Sequence, residues 1–95
     1  MDDKKSQAIA DAFKVFGDKT RIRILFSLQD KEKCVEEISE ELGMEQSAIS
    51  HQLRILKDAR LIRLRKEGRY SFYSLEDEHV SIILKMGMEH ASENM

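Results

Sequence analysis

A three-residue turn in the middle of the chain, Gly43-Met44-Glu45, constrains the fold more than any other feature. Three apolar residues before the turn have the spacing of a short amphipathic helix that glycine ends naturally: Val35, Ile38 and Leu42. A second amphipathic helix is predicted after the turn, from Gln46 to Asp58, with four apolar positions: Ala48, Ile49, Leu53 and Leu56. Two helices joined by so short a turn are typical of a helix-turn-helix, whose second helix can enter the major groove of DNA.

The rest of the chain predicts three further helices and a hairpin. A helix over residues 5–16 ends at Gly17, and Asp18 is a plausible N-cap for the next helix. After residue 60 the apolar period changes from helical to alternating, which predicts a β-hairpin with a basic tip at Gly68-Arg69. A last helix is expected over residues 76–92. Its apolar stripe, the expected dimer contact, consists of Val80, Ile83, Leu84, Gly87 and Ala91, and that of the first helix of Ala8, Ile9, Ala12, Phe13 and Phe16. The predicted fold is therefore mostly α with a small β-hairpin wing, in the order α-α-α-α-β-β-α, as one domain over residues 1–95.

Composition excludes several classes of protein. The chain has 95 residues, of which 41% are hydrophobic and 36% charged, so it is neither a disordered tail nor a membrane span of about 20 apolar residues. The N-terminus has no apolar core of a signal peptide, and we expect a cytoplasmic protein. The single cysteine, Cys34, rules out an intrachain disulfide and a thiolate-only metal site within one chain.

Charge is segregated along the chain although the net charge is only −2. Residues 54–69 contain seven basic and two acidic side chains, a balance of +5. Residues 30–46 balance to −5, with seven acidic and two basic side chains, and residues 76–93 to −4, with five and one. The basic stretch is a candidate phosphate-binding strip, although a charged run can also be a solvated surface.

The predicted second helix of the helix-turn-helix places hydrogen-bonding side chains on its outer side. These candidate DNA contacts are Gln46, Ser47, Ser50, His51 and Arg54. Three cations of the basic hairpin are expected to add phosphate contacts over the adjacent DNA backbone: Arg65, Lys66 and Arg69. The alternative for the helix alone is an ordinary amphipathic surface helix with a serine-rich first turn.

Four potential metal ligands flank the last helix: Asp77, His79, His90 and Glu93. The two histidines lie within about 20° of each other around the helix but about 16 Å apart along it, too far for one ion. If the helix packs antiparallel on a second copy of itself, the residue numbers of two residues that face each other add up to nearly the same value along the helix. This sum is 169 for His79 with the partner's His90 and 170 for Asp77 with the partner's Glu93. A two-fold dimer would thus hold two sites of two imidazoles and two carboxylates, which suits tetrahedral zinc.

Three segments together resemble the ArsR/SmtB family of metal-sensing repressors: Gly17-Asp18-Lys19-Thr20-Arg21-Ile22-Arg23-Ile24-Leu25, Ser47-Ala48-Ile49-Ser50-His51-Gln52-Leu53-Arg54-Ile55-Leu56-Lys57 and Gly68-Arg69-Tyr70-Ser71-Phe72-Tyr73-Ser74-Leu75. The resemblance runs from about Ala8 to Glu93. It implies a winged-helix homodimer that binds double-stranded operator DNA and releases it when an inducer binds. It also assigns DNA contacts to Gln46, Ser47, Ser50 and His51, and an interfacial zinc site to Asp77, His79, His90 and Glu93. Some relatives respond at this site to cobalt or nickel.

Cys34 departs from the pattern of thiolate-sensing relatives. Those relatives have Cys-Val-Cys where this chain has Cys34-Val35-Glu36, and residues 1–20 contain no cysteine. We therefore expect no lead, cadmium, arsenite or disulfide sensing, and interpret Cys34 as a small, half-buried residue that opens the third helix.

The sequence favours a transcriptional repressor that binds operator DNA as a metal-free dimer and releases it on binding zinc, or alternatively cobalt or nickel. A second hypothesis is a winged-helix regulator that needs no metal, with the last helix serving only for dimerisation. A zinc-buffering protein would bind metal without releasing DNA. An enzyme is disfavoured, because the chain has no glycine-rich phosphate loop or nucleophile elbow and Cys34 has no identifiable base partner.

Overall fold

The computed structural model describes all residues, 1–95. The elements are α1 (Asp3–Phe16), α2 (Lys19–Ser27), α3 (Val35–Leu42), α4 (Gln46–Asp58), β1 (Ile62–Glu67), β2 (Tyr70–Leu75) and α5 (Glu78–Glu93). This order confirms the predicted winged helix-turn-helix. None of the five helices combines the length and the hydropathy that a membrane-spanning helix needs.

Side-chain caps explain where three helices begin. The carboxylate of Asp18 accepts the backbone N–H of Arg21 and caps α2, as predicted. Asp2 caps α1 by accepting the N–H of Lys5, so α1 begins at Asp3 rather than at residue 5. Asp77 caps α5 in the same way, which moves the start of that helix from residue 76 to Glu78.

The short turn between α3 and α4 has the predicted glycine chemistry. Gly43 lies in the left-handed region with φ of 67°, a conformation that an L side chain rarely adopts, and its N–H bonds the carbonyl of Ser39. The chain then enters α4 through the extended residue Glu45. Because the turn is fixed by its own backbone, α4 has a defined direction relative to α3.

The two strands form an antiparallel hairpin with its turn at Gly68, whose φ is 60°. The register pairs Ile62 with Leu75 at the open end and Glu67 with Tyr70 next to the turn. The other edge of β2 also makes one pair of backbone hydrogen bonds, between Tyr73 and Lys33. The segment before α3 therefore holds the hairpin, the wing, against the helices.

One hydrophobic core joins the five helices and β1, and Tyr73 and Leu75 of β2 pack against it. It consists of thirteen buried residues: Phe16, Ile24, Leu25, Leu28, Ile38, Leu42, Ile49, Leu53, Leu56, Leu61, Ile62, Val80 and Leu84. From α1 only Phe16 belongs to this core, whereas Ile9 and Phe13, on the same predicted apolar stripe, are 44% and 57% exposed. The apolar stripe of α1 is thus largely uncovered by its own chain.

Candidate nucleic-acid interface and metal site

The exposed face of α4 carries the five side chains predicted to contact DNA. Ile49, Leu53 and Leu56 are completely buried, and they fix the helix against the core. The opposite side of the helix is exposed and presents Gln46, Ser47, Ser50, His51 and Arg54. No side chain caps α4, so its serine-rich first turn is not used for capping. Short polar groups on an exposed helix face have the chemistry that reads base edges.

The wing approaches this face through its tip. Gln46, Ser50 and Arg69 line one cleft of about 280 Å³, together with side chains of β2 and of the start of α3. The Arg69 guanidinium lies 5.7 Å from the centre of the Tyr70 ring, a cation–π distance. The structure therefore brings one predicted wing cation next to the predicted base-reading residues.

Arg65 has partners within the chain. Its guanidinium lies 2.6 Å from a carboxylate oxygen of Glu32 and 3.3 Å from one of Glu67, and it covers the ring of Phe72 at 4.9 Å. Hydrogen bonding to Glu32 raises the pKa of Arg65, and the same contact lowers the pKa of Glu32. A phosphate at Arg65 would have to compete with these carboxylates.

Lys66 lies in a different groove, which runs along β1 and has a volume of about 420 Å³. Three more cations line it: Lys57, Arg60 and Arg63. These three cations belong to the basic stretch of residues 54–69, but the sequence pattern does not place them among the candidate DNA contacts. Their spacing in sequence gave no indication that the end of α4 and the first strand would form one groove.

Asp77 and His79 lie together at the start of α5. One carboxylate oxygen of Asp77, Oδ1, accepts the N–H of Val80 at 3.3 Å and lies 3.5 Å from Nδ1 of His79. The other oxygen, Oδ2, makes neither of these contacts. The imidazole is 87% exposed, so an incoming ion can reach it from solvent.

His90 and Glu93 lie at the opposite end of α5, where both residues are exposed. No three His, Cys, Asp or Glu side chains of one chain come together in a way that could hold a metal ion. Eleven residues of helix separate the two histidines by about 16 Å, too far for one ion within one chain.

The exposed face of α5 described below shares only Ile83 with the apolar stripe that the sequence predicts for the dimer contact. Val80 and Leu84 of that stripe are only 4% and 3% exposed, because they pack into the core of their own chain. The outer side of the helix instead carries six residues, which we call the α5 face: His79, Ile82, Ile83, Met86, His90 and Glu93. Helical geometry spreads them over about 100° around the axis, with the histidines at either end along it.

Cys34 has the position that the sequence predicted. It is half-buried and is the N-cap residue of α3, where its N–H donates to a carboxylate oxygen of Glu37 at 3.0 Å. This bond is the first cause of a lowered pKa of Glu37. The thiol thus opens a helix and joins no cluster of metal ligands.

Fold and site together define a winged helix-turn-helix regulator. Residues 18–63 match the model of the arsR family of bacterial regulatory proteins. The chain is 36% identical over 90 residues to a transcriptional repressor SmtB homolog of Synechocystis, covering 95% of this chain and 68% of that protein. It is 43% identical over 84 residues to an HTH-type transcriptional regulator of Methanocaldococcus jannaschii, covering 87% and 94%. The chain belongs to the ArsR/SmtB family of transcriptional regulators and is not an enzyme.

A solved structure extends the similarity over the whole fold. The winged helix-turn-helix domain of Mb0332 from Mycobacterium bovis, described as homodimeric and as a possible ArsR-family regulator, superposes with a TM-score of 0.89 at 28% identity. The match covers 100% of this chain and 91% of that one. The order of helices and the wing is therefore that of a known DNA-binding domain.

Proposed function

We propose that the protein is a zinc-responsive repressor, which binds operator DNA as a metal-free homodimer and releases it when zinc binds between the two α5 helices. The observation that carries the proposal is the α5 face, on which the exposed apolar residues Ile82, Ile83 and Met86 lie between His79 at one end and His90 and Glu93 at the other. Asp77 lies next to His79 and completes a pair of candidate ligands at each end of the helix. The homodimeric state of the Mycobacterium bovis relative supports the same arrangement of two chains.

Two-fold pairing of the α5 face is self-consistent. In an antiparallel pair centred between Leu84 and Lys85, Ile83 opposes the partner's Met86 and His79 opposes the partner's His90. Gly87 lies beside this centre, and a Cβ built on it would meet nothing within 4 Å in its own chain. The close approach of a second helix is therefore sterically open.

Each pairing brings Asp77 and His79 of one chain to the partner's His90 and Glu93. Two neutral imidazoles and two carboxylates form a charge-neutral set with a divalent ion, and nitrogen and oxygen donors in this number suit zinc. The exposed His79 ring and the Oδ2 atom of Asp77 fit the role, because the cap and the histidine contact use only Oδ1. When bound, the ion would supply a cross-link between the two chains.

Three hydrogen bonds connect α5 and α1 to the DNA-binding half of the chain. Ser81 on α5 donates to the side chain of Gln29, at the end of α2, at 2.7 Å. Arg21 donates through Nε to the carbonyl of Val15 on α1 at 2.8 Å and through Nη1 to Gln52 on α4 at 3.3 Å. A change in how the two α1 and α5 helices pack would thus move α4, and the two recognition helices must match half-sites about 34 Å apart.

A second candidate is a regulator whose α5 face serves only as an apolar dimer contact. The exposed Ile82, Ile83 and Met86 favour it, because they can hold two chains together without an ion. Imidazole also binds cobalt and nickel, so one of these metals could replace zinc at the same four ligands.

Subunit mixing separates these candidates. One variant carries Asp77→Ala and His79→Ala, and the other carries His90→Ala and Glu93→Ala. Each homodimer then keeps only half of the ligands at both sites, so tight zinc binding is expected to be lost. Mixed dimers regain one complete site, so one zinc ion per heterodimer is expected by titration. Glu78→Ala with Glu89→Ala, which removes two other carboxylates of α5, is the matched control and is expected to bind zinc like the parent.

DNA binding is measured in a second experiment. A gel shift on the DNA upstream of the protein's own gene is expected to show binding in the presence of a chelator and release after zinc is added. No recovery of zinc binding after proven subunit exchange would overturn the interfacial site. If cobalt or nickel released the DNA and zinc did not, the four proposed ligands would stand but the inducer would be a metal other than zinc.

A further inference from the structure

The groove along β1 collects positive charge that the proposed DNA-reading face does not use. Four of its seven lining residues are cations, Lys57, Arg60, Arg63 and Lys66, and we call this set the basic groove. One carboxylate, that of Glu76, also lines it, which leaves a net charge of +3. The groove shares no residue with the cleft that contains Gln46, Ser50 and Arg69.

The cations of the basic groove have no acidic partners. None of the four forms a salt bridge, and Arg63 donates only to the backbone carbonyl of Glu76. Arg65, which neighbours them in sequence, is in contrast held by two carboxylates. Four unpaired cations facing one groove repel one another, and an external anion would relieve this repulsion.

Arg60 adds a conformational argument. It is the one residue other than glycine with a positive φ, 61°, where the Cβ of an L side chain crowds the backbone. Glycine or asparagine would fit this turn with less strain. The chain therefore carries an arginine into the groove at a backbone position that disfavours it.

The basic groove continues the exposed face of α4. Ser50, Arg54 and Lys57 are spaced by four and three residues, which places them on one side of the helix. Lys57 lies about 10 Å further along the axis than Ser50. The major groove is about 12 Å wide, so a helix with its first half at the base edges brings its end close to a flanking sugar–phosphate backbone.

We propose that the basic groove is a binding site for the phosphodiester backbone of DNA, separate from the base-reading face of α4. This inference rests on the proposed DNA-binding function and adds a contact that contributes affinity without sequence preference. Lys57 and Arg60 are its central cations, because they join the end of α4 to the wing.

The test uses the full-length protein with Lys57→Gln and Arg60→Asn. Asparagine tolerates the left-handed backbone at position 60, so the fold should keep its thermal stability. Binding is measured on a random-sequence duplex over a series of salt concentrations. The loss of two phosphate contacts is expected to reduce the slope of log K against log salt by roughly two units. The control, Lys19→Gln with Lys31→Gln, removes two exposed cations elsewhere and is expected to keep the parent slope.

The random duplex makes the result independent of the operator. An unchanged slope in the groove variant, or an equal loss in the control, would overturn the proposal. The DNA upstream of its own gene is tested in parallel, and the ratio of the two affinities is expected to be the same for parent and variant. A parent that does not prefer the upstream DNA would count against the proposed repressor function, while the slopes would still decide the groove.

Discussion

At the scale of single residues, Lys33 contacts three parts of the chain at once. Its side chain is 10% exposed, and the ammonium group lies 2.8 Å from the carboxylate of Glu41 on α3. It also donates to the carbonyl and the hydroxyl of Ser27 at the end of α2. Its backbone pairs with Tyr73 of the wing. One buried cation therefore links α2 and α3 to the hairpin.

We expect Lys33→Met to lower the free energy of unfolding by about 1–3 kcal/mol, because the carbonyl of Ser27 loses its side-chain donor and the carboxylate of Glu41 loses its cation. Chemical denaturation monitored by circular dichroism measures the loss. The neighbouring exposed lysine offers a control, since Lys31→Met is expected to change stability by less than about 0.5 kcal/mol. Equal effects of the two substitutions would show that the buried contacts of Lys33 contribute little.

The same pair gives stability a dependence on pH. The hydrogen bond from Lys33 lowers the pKa of Glu41 below its ordinary value of 4.5, and hydrogen bonding to Glu41 raises the pKa of Lys33. A lowered carboxyl pKa contributes stability above the unfolded pKa, and this contribution is lost as the pH falls through the folded value. The difference in unfolding free energy between the parent and Glu41→Gln is thus expected to shrink between pH 6 and pH 3. A constant difference over this range would contradict the pairing.

At the scale of helices and strands, the α5 face carries exposed apolar side chains that we expect a second chain to bury. Met86 is 54% exposed at the centre of that face. Burial of such a side chain in each chain of a dimer contributes about 1.5–3 kcal/mol, so Met86→Lys is expected to raise the dimer dissociation constant at least tenfold. Sedimentation equilibrium measures this change. Tyr70→Lys, at an exposed aromatic residue of the wing, is the control and is expected to leave the dimer intact.

Elements could be predicted from the sequence where local chemistry decides them. Gly43 ends α3 and Asp18 caps α2 because each acts on its own backbone within a few residues. The apolar stripes of α1 and α5 were harder, since periodicity locates an apolar face without telling what covers it. Phe13 is exposed and Leu84 is buried although both lie on predicted stripes. Only the packing of distant segments distinguishes the chain's own core from a surface for a second copy.

In the candidate site, too, local sequence predicts some features, whereas others depend on distant segments of the chain. The outer face of α4 follows from helical spacing, and Gln46, Ser50 and His51 are exposed as predicted. The engagement of Arg65 by Glu32 depends on residues 33 positions apart, which no local pattern indicates. The basic groove likewise requires the register of the hairpin against the end of α4.

At the scale of the whole molecule, the proposed repressor must couple two distant events through one equilibrium. The linking contacts are Ser81 of α5 with Gln29, and Arg21 of α2 with both Val15 of α1 and Gln52 of α4. Because coupling between two binding sites is reciprocal, operator DNA must weaken zinc binding by the same factor by which zinc weakens operator binding. Factors of about 5–150 are typical of such coupling.

We expect zinc affinity, measured with a competing chelator of known strength, to be lower in the presence of saturating operator than in its absence. The ratio should equal the loss of operator affinity on zinc addition, measured by fluorescence anisotropy at the same salt concentration and pH. A random duplex at a matched degree of saturation is the control for general electrostatic effects, since zinc adds positive charge to a dimer that binds phosphates. Equal zinc affinity with and without operator would mean that metal and DNA bind independently, as in a zinc-buffering protein. Gln52→Ala removes the acceptor of Arg21 on α4, and we expect it to reduce both ratios together while zinc affinity without DNA stays at the parent value.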